Sequence, residues 1–158
     1  MRIALTTEFY YPHLGGVTEH VHNLALAFRR LGHEAIVVTA DMGDASHDGP
    51  HVRRIGRSRI IYSSGSFARV TTGRGIRSQV TDLFRNERID VVHTHGPLTP
   101  TLGLAAPAAA HALGLPVVAT FHSWFPRSAM YRIFRAPLQR RLDRYAAAIG
   151  LAFQVVDD

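Results

Sequence analysis

The chain contains no cysteine and no lysine. The first absence excludes disulfide cross-links and thiolate metal sites. The second makes all eighteen basic residues arginines, which grip phosphate and carboxylate as a planar fork and stay charged when partly buried. No apolar run reaches the roughly 18 residues of a spanning helix, and the N-terminus opens into a strand pattern rather than a signal peptide. A cytoplasmic location is the resulting expectation. Internal repeats and low-complexity segments are also missing, as is the Gly-x-Gly-x-x-Gly pattern of dinucleotide-binding turns.

What is present is an ordinary globular composition, 46% hydrophobic and 19% charged over 158 residues. That length fits one domain able to bury roughly 70% of its unfolded surface. The net charge of +6 points to phosphorylated ligands, nucleic acid or an anionic membrane face. Nucleic acid is the weakest of the three, because the arginines are scattered and no recognised binding motif occurs, so no nucleic-acid partner is expected.

The N-terminal stretch organises the rest. Arg2–Thr7 reads as a buried strand, Glu8–Gly16 as a loop with Pro12 and paired glycines, and Val17–Leu31 as an amphipathic helix closed by Gly32. A glycine loop running into a helix N-terminus gathers free N–H groups and a positive dipole end, which suits an anion. The alternative is a turn that only reverses the chain. Glu34–Thr39 is a second apolar strand, completing a right-handed parallel βαβ unit. Asp41–Pro50 reads as a polar loop, and His51–Ile55 and Arg59–Tyr62 as short strands split by Gly56. Ser63–Gly75 reads as a loop, and Ile76–Glu87 as a helix. Asp90–His95 is the next strand. Thr99 or Thr101 can cap a helix ending at Leu113, which Pro107 is expected to kink or shorten. Pro116–Phe121 is a further strand, and Ser128–Asp158 has helical propensity broken at Pro137. The alternation predicts an α/β fold with a doubly wound parallel sheet.

In such a sheet, ligands sit beyond the carboxyl ends of the strands. Those ends carry Glu8–Gly16, His93-Thr94-His95 and Thr120-Phe121-His122-Ser123. His93 and His95 alternate along a strand and so project the same way, a spacing that could chelate a metal. No cysteine or carboxylate triplet flanks them, and satisfied polar residues at a sheet edge are the other reading, so no metal ligands are assigned. His20 and His22 point apart on a helix, which argues against an ion shared between them. His122, in a loop with Ser123, can hydrogen-bond a sugar hydroxyl or polarise a reacting group; a structural histidine is its competitor.

Four segments in order carry a resemblance: Pro12-x-x-Gly15-Gly16-Val17-x-x-His20-Val21, Leu31-Gly32-His33-Glu34, Asp90-Val-Val-His93-x-His95-x-Pro97 and Val118-Ala-Thr120-Phe121-His122. Together they resemble the N-terminal domain of retaining glycosyltransferases with the two-domain GT-B fold, over residues 1–142. Phosphatidylinositol mannosyltransferases are the nearest likeness. The resemblance implies a Rossmann-like half of a GT-B fold that holds the acceptor. Gly15 and Gly16 would face the donor diphosphate and His122 the transferred sugar, with Glu8, His93 and His95 in support. Tyr62, Ser66, Arg69, Thr120 and Ser123 would bind the acceptor. Tyr62–Arg69 is related to the family's Tyr-Asn-Gly-Ser-x-Ala-Arg stretch but lacks the asparagine and has one extra residue. Arg69 is a phosphate fork on this reading and a surface arginine otherwise.

The implied donor is a GDP- or UDP-linked sugar and the acceptor a phosphoinositol lipid or other polyol. No metal or protein nucleophile is required, and a C-terminal donor domain absent from these residues would complete the enzyme. The isolated chain is expected to be inactive. Residues 143–158 fit less well. Gly150-Leu-Ala-Phe-Gln-x-x-Asp157-Asp158 resembles the second aspartate-rich motif of trans-isoprenyl diphosphate synthases, without that family's first motif or helical body. Arg127, Arg132, Arg135, Arg140, Arg141 and Arg144, interleaved with Leu, Ile, Phe and Tyr, suggest contact with an anionic inner-membrane face, or a solvated surface. Two further readings stand beside the transferase: a non-catalytic module binding a phosphorylated polyol, lipid or protein, and a fragment of an isoprenyl diphosphate synthase.

Overall fold

The apolar runs of the sequence become the middle strands of one sheet. In the computed structural model, which describes residues 1–46, 48–63 and 66–122, the order is β1 (Arg2–Thr6), α1 (Gly16–Arg30), β2 (Glu34–Asp41), β3 (Val52–Ser63), β4 (Ser66–Thr72), α2 (Ile76–Asn86), β5 (Val91–His95), α3 (Leu102–Ala112) and β6 (Val117–Thr120). The strands lie in the order β4-β3-β2-β1-β5-β6. Every pairing is parallel except β3 with β4. The fold is Rossmann-like α/β with a mixed, mainly parallel sheet.

Strand order reverses beside β1, since β2 lies on one side of it and β5 on the other. With right-handed crossovers in both directions, α1 and α3 must cover opposite faces. Ile3, Leu5, Ala35 and Val37 pack with Val21 and Ala25 of α1 and with Tyr10. By strand alternation, Ala4, Ile36 and Val38 are buried on the other face, where α3 and α2 pack against each other. The crevice at the reversal opens at the carboxyl ends of β1 and β5, where ligands of such sheets bind.

Three local expectations are corrected. Gly56 does not split residues 51–63 into two strands; β3 runs through it, with Gly56 at φ +61°. A β-carbon there would lie 2.6 Å from the Thr72 carbonyl oxygen and 2.6 Å from Ile76 Cδ1, so the glycine lets β4 and the start of α2 cross the strand closely. Residues 63–75 are not simply a loop, because Ser66–Thr72 forms edge strand β4, antiparallel to β3. A strand with one partner and partial exposure need not be an apolar run, which is why its sequence looked like a connection. Nor does Pro107 shorten its helix: α3 continues to Ala112 with Pro107 inside it. Burial of Leu102, Ala105, Ala106, Ala109 and Ala110 around it outweighs one lost backbone bond.

The start of α3 is held by a residue distant in sequence. Thr101 is its N-cap but makes no side-chain cap bond, since its hydroxyl donates to the Thr71 carbonyl. Glu8 does the capping. Its Oε1 accepts from the N–H groups of Leu102 at 2.8 Å, Thr101 at 3.1 Å and Gly103 at 3.4 Å, while Oε2 accepts from the Thr71 hydroxyl. Gly103 is required by the turn after β5, because a β-carbon there would lie 2.4 Å from the Gly96 carbonyl oxygen. Burial pushes the Glu8 carboxyl above its ordinary value of 4.5, against the opposing pull of these bonds.

The folded state therefore binds more protons than the unfolded one between 4.5 and that raised value, and stability falls as pH rises through the window. Glu8→Gln keeps an oxygen acceptor and removes the charge, so urea unfolding at successive pH values should show a flatter slope than wild type there. Glu8→Ala leaves the N–H groups unpaired and should cost about 2–4 kcal/mol. Identical slopes for wild type and Glu8→Gln would exclude a buried titrating Glu8.

Candidate functional site

The loop from β1 into α1 is fixed from three sides. Part-buried Arg54 donates from Nη2 to the Tyr11 carbonyl at 2.7 Å and from Nη1 to the Ala40 carbonyl at 2.9 Å, and its fork also engages Asp48 at 2.6–2.7 Å. The Thr18 hydroxyl donates to the His13 carbonyl at 2.8 Å, and the Tyr11 hydroxyl to Glu19 at 2.7 Å. Tyr10 is buried, with its hydroxyl 3.1 Å from His22 Nδ1.

Within this rigid frame, neither glycine of the pair is demanded by the backbone. Gly15 is extended, at φ 168°, and a β-carbon on Gly16 would meet nothing within 4 Å. Both are exposed, and no side chain caps α1. The first N–H groups of a helix have no intrahelical acceptor, so the start of α1 offers donors and a positive dipole end to an approaching anion. This differs from α3, whose equivalent groups are taken by Glu8.

Beside the loop, imidazoles from three elements converge. His95 at the end of β5 is buried, and its Nδ1 lies 2.9 Å from Nε2 of exposed His122, just past β6. The register pairing His95 with Thr120 places His122 within reach. His20, exposed on the first turns of α1, sits with its ring centroid 5.4 Å from that of His95 and 5.2 Å from that of His122. His93 stacks on His95 at 4.3 Å, and its Nε2 is 2.8 Å from the Thr120 hydroxyl. Burial, reinforced by the neighbouring imidazoles, lowers His95 to about 2 and His93 to about 4. Burial, then His20, also lowers His122. His93, His95 and His122 are therefore uncharged at neutral pH and can donate or accept hydrogen bonds at polar groups of a ligand.

The β3–β4 hairpin stands at the edge of the sheet opposite β6. Tyr62 and Phe67 face each other across it, ring centroids 5.3 Å apart, and both are exposed. Arg69, opposite Ile60, reaches the Ser58 hydroxyl at 3.3 Å. Its charge also bears on His13 of the glycine loop, whose pKa is lowered first by burial and then by Arg69. Ser66 pairs with Ser63 in the hairpin. Ser123 and the arginine-bearing segment from Arg127 to Arg144 lie outside the described residues, as does the tail at 143–158.

The profile of Glycosyltransferase Family 4 matches residues 14–153, which include Gly15 and Gly16, the histidine cluster and the hairpin. The chain belongs to glycosyltransferase family 4. Among curated relatives of this family-4 chain, a phosphatidyl-myo-inositol mannosyltransferase of Propionibacterium freudenreichii is 29% identical over 165 aligned positions, covering 99% of the chain and 42% of the relative. A GDP-mannose-dependent alpha-mannosyltransferase of Mycolicibacterium smegmatis is 33% identical, covering 78% of the chain and 32% of the relative. The chain thus spans less than half the length of these two proteins. A solved structure titled a putative UDP-N-acetylglucosamine 2-epimerase from Listeria monocytogenes superposes with a TM-score of 0.55 at 19% identity, over 97% of the chain and 38% of that structure, a likeness of fold alone.

The structure brings together most of the residues singled out by sequence. His93, His95, Thr120 and His122 form one bonded and stacked group, with the Gly15–Gly16 loop leading into the helix that carries His20. Glu8 supports α3 rather than facing a ligand. His20 is the residue whose role sequence reasoning missed. It does diverge from His22, which bonds Tyr10, but its partners come from β5 and the end of β6. Its place in the Gly-Gly-Val-x-x-His segment was the available signal.

If Gly16 is small for the sake of a ligand, its replacement should be silent in the fold. Gly16→Leu should shift the thermal midpoint by no more than about 2 °C. Gly56→Ala, at positive φ and in steric overlap, should cost about 2 kcal/mol or more. Comparable losses in melting experiments on the two variants would make Gly16 a structural glycine.

Proposed function

We propose that the chain is the acceptor-side half of a retaining, nucleotide-sugar-dependent hexosyltransferase, spanning residues 1–142. The reaction is transfer of mannose from a GDP- or UDP-linked donor to a phosphoinositol lipid or related polyol. The observation that carries this reading is the uncapped α1 N-terminus behind Gly15 and Gly16, set beside a histidine cluster at the carboxyl edge of the sheet in a family-4 chain. The names of the two mannosyltransferase relatives support the sugar and the acceptor class.

In this reading the donor diphosphate meets the N–H groups at the start of α1, with no side chain beyond Gly16 to block it. His122 hydrogen-bonds the sugar being transferred. His95 holds the His122 ring through the 2.9 Å contact, as Thr120 holds that of His93. Arg69 and Tyr62 on the hairpin, with Ser66, Thr120 and Ser123, receive the acceptor, the guanidinium taking its phosphate as a fork. A second domain supplies the nucleotide site, and transfer needs both lobes to hold donor and acceptor in line. The acceptor hydroxyl loses its proton to the departing diphosphate on the donor's own face, so no protein nucleophile and no metal enters the step. Among the described residues no helix is long and apolar enough to cross a membrane. A lipid acceptor would be met peripherally, at an anionic inner-membrane face, with the arginine-rich segment 127–144 as a contact.

Two outcomes test this in a protein carrying both lobes. His122→Ala, at an exposed position, should keep the fold and lower kcat by about a hundredfold, the scale of one lost transition-state hydrogen bond. Wild-type turnover would remove His122 from the reaction. Arg69→Ala should raise KM for a phosphorylated acceptor about tenfold with little change in kcat, the loss of one charge-assisted bond. An equal effect on an uncharged polyol acceptor would mean that Arg69 does not bind phosphate.

A further inference from the structure

His20, His95 and His122 each present a ring nitrogen within 4.8 Å of the other two. The three come from separate elements, α1, the end of β5 and the residues after β6, so the sheet and its crossover helix bring them together. His93 lies against the group but is not a member, because its Nε2 is engaged with Thr120 at 2.8 Å. His95 supplies a floor: it is 2% exposed, and it turns Nδ1 toward Nε2 of His122 at 2.9 Å. His20 and His122 are exposed and form the rim.

We propose that His20, His95 and His122 form a three-imidazole site for a zinc-class divalent cation, with a fourth coordination position open to solvent. All three donors are nitrogens of borderline softness, which favours zinc, cobalt or nickel over magnesium or calcium, whose ligands are oxygens. A tetrahedral zinc with bonds of about 2.0–2.1 Å needs its ligand nitrogens about 3.3 Å apart. The 2.9 Å contact between His95 and His122 must therefore widen by a few tenths of an ångström, and the longest separation, up to 4.8 Å, must shorten by about 1.5 Å. Rotation of the two exposed rings supplies both movements without shifting buried His95. Three histidines plus one open position is the arrangement of a zinc centre that exchanges its fourth ligand.

The site rests on this geometry and not on the proposed transfer reaction. Should that reaction hold as well, an ion here would engage His122 and withdraw it from substrate, making the site inhibitory.

The test uses the full chain stripped with a chelator, then titrated with zinc against a chromophoric chelator and separately with cobalt. Wild type should bind one equivalent and give the intense visible band of tetrahedral cobalt. His20→Ala and His122→Ala should each weaken zinc binding by about a hundredfold, at least the loss seen when supporting residues of metal sites are removed. His51→Ala, outside the cluster, should bind as wild type does. Thermal melts establish that the variants are folded, and His20→Gln, which keeps a polar side chain at that position, should show the same loss. No zinc uptake by wild type, unchanged affinity in the two folded alanine variants, or only the weak octahedral cobalt spectrum would each overturn the proposal. Because every readout is binding, these results are independent of whether His122→Ala alters transfer.

Discussion

The contact on which this fold most depends is the carboxylate of Glu8 against the start of α3. One side chain, two residues past the end of β1 at Thr6, engages the backbone of residues 101–103 and the hydroxyl of Thr71. It thereby ties the central strand to edge strand β4 and to the helix on the opposite face from α1. The arrangement also distinguishes two helix N-termini at the same edge of the sheet. That of α3 has its anion built in, at the cost of burying a carboxyl whose pKa rises. That of α1 has none, and only glycines stand before it.

The charge distribution around the crevice follows the same division. Arg54 is spent on structure, its fork filled by Asp48 and by the carbonyls of Ala40 and Tyr11, and it makes the glycine loop rigid. His93, His95 and His122 are kept neutral by burial and by the neighbouring imidazoles. Arg69, set on the hairpin, is felt at His13 of the glycine loop. On the proposed reading, a helix terminus and an arginine would meet a negatively charged ligand while neutral imidazoles address its polar groups.

Much of this was legible in the residues themselves, and for identifiable reasons. β1, β2 and β5 are interior parallel strands and β6 a short apolar edge strand, so their apolar runs announced them, and Gly32 and Gly114 marked the ends of α1 and α3. The strand-end histidines were legible because period-two alternation places His93 and His95 on one face. β4 was not, because its Ser-Phe-Ala-Arg-Val-Thr-Thr sequence, on an edge with one partner, is neither an apolar run nor a strict alternation. Continuity through Gly56 was hidden too, since a glycine that bends a strand and one that ends it look alike until its neighbours are known. Pro107 was misjudged by its local cost, before the burial of the surrounding alanines could be weighed.

Sequence alone determined the class of fold, the family and the edge of the sheet where chemistry must gather, because periodicity and short motifs are local properties of a chain. Only the tertiary structure decided which of those residues work together. His20 and His22 are two positions apart and belong to different environments, whereas His20, His95 and His122, more than a hundred positions from first to last, share one. Glu8 likewise meets its partners over 60 and over 90 residues away. Such meetings depend on strand order, register and the face that each crossover covers, and these are set by packing of the whole sheet.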